Sequence, residues 1–177
     1  MTVAVLFARS DSFYKTMPGC DVWDIERDAR KWQGGAPVVA HPPCRAWGRY
    51  AHKAKPREGE KQLAIEAVRF VRENGGVLEH PATSRLWPHL RLPAPGAPPD
   101  EFGGWSLLVF QSWFGHRAPK ETILYIVGCA PEDLPPMPAQ LNLEFGRIEF
   151  MCTRERESTP APFAEWLCEL ARRCRPS

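Results

Sequence analysis

Apolar residues fall along this chain in short runs separated by turns, and the runs have two periods. Val3 to Phe7 is continuous and apolar, the pattern of a strand buried on both faces, and a polar turn follows from Arg9 to Ser12. Asp21 to Ile25 alternates acidic and apolar residues and predicts a second, shorter strand. Ala36 to Ala40 is a third run, halted at His41-Pro42-Pro43, where prolines remove the backbone donors a ladder needs. The period then changes: Leu63, Ala67, Phe70 and Val71 recur at helical spacing within Glu60 to Glu73, and Asn74-Gly75-Gly76 supplies a stop. Val77 and Leu78 begin another strand, which ends at Glu79-His80-Pro81.

Ser84 to Gly104 is rich in proline yet carries Leu86, Trp87, Leu90 and Leu92, which need burying, so an ordered loop is expected there. Trp105 to Trp113 fits helix or strand equally. Thr122 to Val127 and Ile148 to Cys152 read as strands, with the proline-rich surface loop PEDLPPMPAQ between them. Pro160 heads a terminal helix, Ala161 to Arg173, with Phe163, Trp166, Leu167 and Leu170 on one face. Strands alternating with helices predict an α/β fold with a doubly wound, mostly parallel sheet in one domain, residues 1–177. Ligands of such sheets gather beyond the carboxyl ends of the strands, where AHPPC and LEHP stand.

Composition narrows the class. The 177 residues are 44% apolar and 25% charged, and no run approaches the roughly 18 apolar residues of a membrane span. The opening MTVAVLFARSD has no charged leader before a long apolar stretch, so a cytoplasmic location is the expectation. Six cysteines without a CxxC pair indicate neither a disulfide scaffold nor a zinc knuckle. The net charge of +2 is unremarkable, but Arg45, Arg49, Lys53, Lys55 and Arg57 cluster with His52 and no acid, a stretch suited to a polyanion. Trp47 and Tyr50 within it are candidate stacking surfaces, or a core residue in a solvated loop.

Cys44 directly follows two prolines at a strand end, a rigid turn that suits a thiolate nucleophile; a buried structural thiol is the alternative. Glu79 ends an apolar strand, where it serves either as an acid or hydrogen-bonding anchor for a heteroaromatic ring, or as a cap on the next turn. His41, His80 and His116 with Cys44 are zinc-ligand types, but no pair has helical or knuckle spacing, and no metal site is predicted. A cysteine and a carboxylate on neighbouring strand ends fit pyrimidine chemistry, in which a thiolate adds to C6 and an acid at N3 stabilises the developing charge.

Several segments, in order, resemble the cytosine-5 DNA methyltransferases, particularly the short methyltransferase-like proteins of bacteriophages. VAVLFARSDS resembles their opening strand and turn, VWDIERDA the second strand with its ribose-binding acid, and VVAHPPC the catalytic Pro-Cys strand. GGVLEHP resembles the strand of the catalytic Glu, GHRAPKETILYIVG the later basic motif, and STPAPFAEWLCELA the final motif beside the cofactor pocket. The resemblance implies a trimmed, Rossmann-like methyltransferase fold. Cys44 is then the nucleophile, Glu79 the N3 partner and Lys120 the basic residue near a flipped base. S-adenosylmethionine is the implied cofactor, held by Phe7, Asp24, Pro42 and Thr159 with Asp24 on its ribose. The implied partner is DNA or a pyrimidine nucleotide, met by Arg45, Arg49, Lys53, Lys55 and Arg57.

The chain departs from that pattern in three places. Arg9, Ser10 and Asp11 stand where the family has glycines, 28–36 has no room for the usual third strand, and no segment is long enough for a target-recognition domain. The expected function is cytosine C5 modification through a cysteine adduct, most simply methylation. The alternatives are a nucleic-acid or partner-binding protein that has lost its donor site, and pyrimidine modification with another donor.

Overall fold

A computed structural model describes residues 1–48, 51–138, 151–152 and 158–175. Its centre is a six-stranded mixed sheet in the order β2-β1-β3-β4-β6-β5, built from β1 (Val3–Leu6), β2 (Cys20–Trp23), β3 (Val38–Ala40), β4 (Gly76–Pro81), β5 (Trp105–Phe110) and β6 (Glu121–Val127). β1 pairs in parallel with β2 and β3, and β3 with β4. β6 runs antiparallel to both β4 and β5, so the sheet is mixed, the β2-β1-β3-β4 part being parallel as expected. The reason is the short link 111–120: antiparallel neighbours can be joined so tightly, whereas parallel ones need a crossover of a dozen residues or more.

Helices cover both faces. α1 (Glu60–Asn74) and α3 (Ala161–Arg173) lie on opposite sides, with a short α2 (Leu86–His89) inside the proline-rich loop. Alternation along the strands sorts the core accordingly: Ala4, Leu6, Val38, Ala40 and Leu78 pack with Ala64, Ala67 and Val71 of α1, while Val3, Val5, Val39 and Val77 pack with Phe163, Leu167 and Leu170 of α3. Full burial of β1 and β3 explains why their sequences are unbroken apolar runs.

Strand ends are set by local chemistry. β1 stops at Leu6 because Phe7 adopts φ +60°, and β2 stops at Trp23 because the Asp24 carboxylate accepts the backbone N–H groups of Glu26 and Arg27. The expected second strand, Asp21 to Ile25, is thus shifted to Cys20–Trp23. Trp105 to Trp113 divides, β5 giving way to a 3₁₀ turn at Gln111–Phe114. Gly76 opens β4 with φ +130°, and a Cβ there would overlap the Val38 backbone. Among the described residues β2 is an edge strand of the sheet, and there Arg27 donates to the Val22 carbonyl at 2.8 Å and to Asp21 at 2.6 Å. The expected strand Ile148 to Cys152 lies outside the described residues except for Met151 and Cys152, which are not in a strand. No helix among the described residues is long and apolar enough to cross a membrane.

Candidate functional site

The order of strands reverses at β1, whose successors β2 and β3 lie on opposite sides of it. Such a switch point opens a crevice at the carboxyl ends, and here a cleft of about 830 Å³ occupies it. Its walls come from the turn after β1, from Asp24 after β2, from His41 to Arg45 after β3, from Glu79 on β4, and from Lys120, Ser158 and Thr159. Of the expected site residues, Cys44, Glu79, Lys120, Phe7, Asp24, Pro42, Thr159, Arg45 and Arg57 all line it.

Cys44 is half-buried behind Pro42-Pro43, and its carbonyl accepts from the N–H groups of Trp47 (3.0 Å) and Gly48 (2.8 Å), which fixes the turn. Arg45 reaches away to the first turn of α1, where its guanidinium donates to both oxygens of Glu60 at 2.8 and 3.0 Å. Glu60 is 3% exposed and also accepts the N–H of Arg57, so Arg45 neutralises a buried carboxylate. Trp47 is 2% exposed, with its indole N–H on the Lys61 carbonyl. It is a core residue and offers no stacking face to a base. Lys53, Lys55 and Arg57 are exposed, whereas Arg49 and Tyr50 lie outside the described residues.

Around Glu79 the structure assembles a network that crosses the sheet. His41, the first residue past β3, sits beside β4 and brings Nδ1 to 3.1 Å from Glu79 Oε2, while its Nε2 lies 2.9 Å from the Tyr14 hydroxyl. Gln111 Nε2 donates at 3.0 Å to Glu79 Oε1 and at 3.0 Å to Thr122 Oγ1. The buried Gln111 Oε1 has no partner. Burial opposes ionisation of Glu79, but the His41 hydrogen bond and the nearby Lys120 charge outweigh it and hold the carboxyl at about 2. Tyr14 is raised well above the usual phenol value by burial and by the charges facing it, so it stays protonated.

Asp24 is 3% exposed and accepts from Lys15 Nζ at 2.6 Å as well as from two backbone N–H groups. The Lys15 hydrogen bond lowers its pKa against the effect of burial. In the turn after β1, Arg9 and Asp11 form an ion pair at 2.9 Å over the cleft. The remaining histidines are elsewhere. His80 points to the α1 side and packs edge-on against Trp87, and burial lowers its pKa to about 4. His116 Nδ1 pairs with the Ala118 backbone. No group of three His, Cys, Asp or Glu that could hold a metal is present among the described residues.

Sequence reasoning missed Tyr14, Gln111 and Glu60, and saw His41 only as a metal ligand. A signal existed for His41 alone: it stands one residue past β3, as Glu79 stands near the end of the adjacent β4. Comparison of the chain with protein-family models, with curated proteins and with solved structures found no match.

Proposed function

We propose that this chain is a trimmed methyltransferase-type α/β protein that modifies a pyrimidine base at C5 through an adduct between Cys44 and C6. The observation that carries the reading is the sharing of one cleft by Cys44, after β3, and Glu79, on the neighbouring β4. Neighbouring parallel strands deliver both groups to the same crevice, so a planar ring between them meets a sulfur nucleophile and a carboxylate that orients its polar edge. Lys120 adds a positive charge beside Glu79, suited to an oxygen that gains charge as the thiolate adds. DNA or a pyrimidine nucleotide is the proposed partner, with Arg57 on the cleft wall and Lys53 and Lys55 exposed on the segment before it as the groups for phosphate.

S-adenosylmethionine is the proposed donor. Asp24 fits its ribose chemically, since this ionised carboxylate accepts and never donates, and hydroxyls supply donors. Phe7, Pro42 and Thr159 would form the rest of that wall, and bound there the group supplies an electrophilic methyl. One observation favours a second reading, a binding protein without donor chemistry: the Arg9–Asp11 ion pair stands where close backbone approach to the donor is needed.

The adduct has a readout that needs no donor. A thiolate that adds reversibly to C6 makes C5 take up solvent hydrogen, so a pyrimidine oligonucleotide incubated with the protein in deuterated water loses its H5 proton signal. That loss is expected with the natural chain and absent with Cys44→Ser. Equal exchange by Cys44→Ser overturns the covalent reading. Calorimetric titration with S-adenosylmethionine tests the donor, and no heat at millimolar concentration removes it.

A further inference from the structure

The hydrogen bonds around Glu79 have a direction, and it limits which base the cleft can activate. Tyr14 is 1% exposed, and its hydroxyl has His41 Nε2 as the partner that can take its proton. A buried phenol left without an acceptor is costly, so the O–H donates to Nε2. Nδ1 then carries hydrogen and donates to Glu79 Oε2. On the other oxygen, the Gln111 amide donates a second N–H. A protonated Glu79 facing Nδ1 would reverse the chain, put Nε2–H against the Tyr14 oxygen and strand the phenolic proton inside the core.

From this network, and resting on the pyrimidine reading above, we infer that the cleft takes a uracil-type ring, whose N3–H donates to Glu79, in preference to cytosine. Cytosine presents an unprotonated N3 to lone pairs that cannot supply a proton, and its C6 gains electrophilicity only when N3 is protonated. Uracil needs no such proton. Its N3–H meets an acceptor already fixed by two donors, and its O4 is the atom that gains charge, for which Lys120 in the same cleft is the available cation.

The step balances without a co-reactant. Cys44, having released its proton to solvent, forms the S–C6 bond, and the C5=C6 pair moves onto the C4 carbonyl oxygen. C5 then takes a solvent deuteron, loses its original hydrogen, and the double bond reforms as the thiolate leaves. The net change is replacement of H5 by deuterium.

The test uses the full chain with two matched single-stranded deoxyoligonucleotides whose sole pyrimidine is one uracil or one cytosine, each base also supplied as its free 5′-nucleotide. Loss of H5 is followed by proton magnetic resonance in deuterated water. Exchange on uracil is expected to exceed that on cytosine by about tenfold or more, the value of one hydrogen bond to a charged group. Glu79→Gln, whose amide N–H can donate to cytosine N3, should narrow that ratio while slowing uracil. Exchange on cytosine equal to or faster than on uracil overturns the inference and leaves the pyrimidine reading standing. Exchange on neither base by a folded natural chain overturns both, and an unchanged ratio in folded Glu79→Gln removes Glu79 as the selector.

Discussion

Buried His80 and half-buried Glu79, adjacent on β4 and facing opposite sides of the sheet, contribute to the protein's response to acid in two pH windows. His80 has its pKa lowered from 6.5 to about 4, so on acidification the unfolded chain takes this proton first and stability falls between those values. Glu79 is lowered from 4.5 to about 2; its contribution is complete above 4.5 and is lost as the pH falls towards 2. Urea midpoints measured against pH should therefore decline in both windows. His80→Leu should flatten the upper window, since it removes the group that titrates there. Glu79→Gln should shrink the decline in the lower window, to which the lowered Asp21, Asp24, Asp28 and Asp100 also contribute. For Cys44, replacement by Ser should leave the unfolding free energy in urea within about 0.5 kcal/mol, because the residue is only half-buried, while abolishing H5 exchange.

The alignment of β3 with β4 positions the candidate site, and Gly76 is where the two backbones come closest. Gly76→Ala pushes a methyl group into the Val38 backbone at a φ that side chains rarely adopt, so a loss of about 3 kcal/mol or more is expected in urea unfolding. A loss under about 0.5 kcal/mol would show that the strands can separate cheaply. Periodicity revealed β1, β3, β4, β6, α1 and α3, because each buries a continuous run or a helical stripe. It failed at 105–113, where one apolar pattern serves both a strand and a 3₁₀ turn. Strand direction was also illegible: β6 follows β5 through a short link, but the apolar run of β6 would look the same in either orientation. The turn carrying Cys44 and the place of Glu79 near the end of β4 were readable from prolines and polar residues at the ends of apolar runs. Tyr14 was not, because its partner His41 is distant in sequence and meets it only once β1 and β3 lie side by side.

Charge over the whole molecule is nearly balanced, so any attraction for nucleic acid depends on a local excess such as the basic segment after Cys44. Lys53 and Lys55 are exposed, whereas Arg45 is bound to buried Glu60. Changing Lys53 and Lys55 together to Gln should reduce the slope of log affinity against log salt for a single strand by about 1.4, two phosphates at roughly 0.7 each. An unchanged slope would place the phosphate contacts elsewhere. Arg45→Gln should instead lower folding stability, since it leaves a carboxylate buried without its cation. A last consequence belongs to the opposite border of the sheet. By occupying the Val22 carbonyl, Arg27 denies one hook to a foreign strand seeking to extend the ladder, and its charge repels a second copy offering the same edge. Without that guard, as in Arg27→Ala, a concentrated solution should grow turbid at a lower temperature on heating, which makes shelf life a property of this one surface residue.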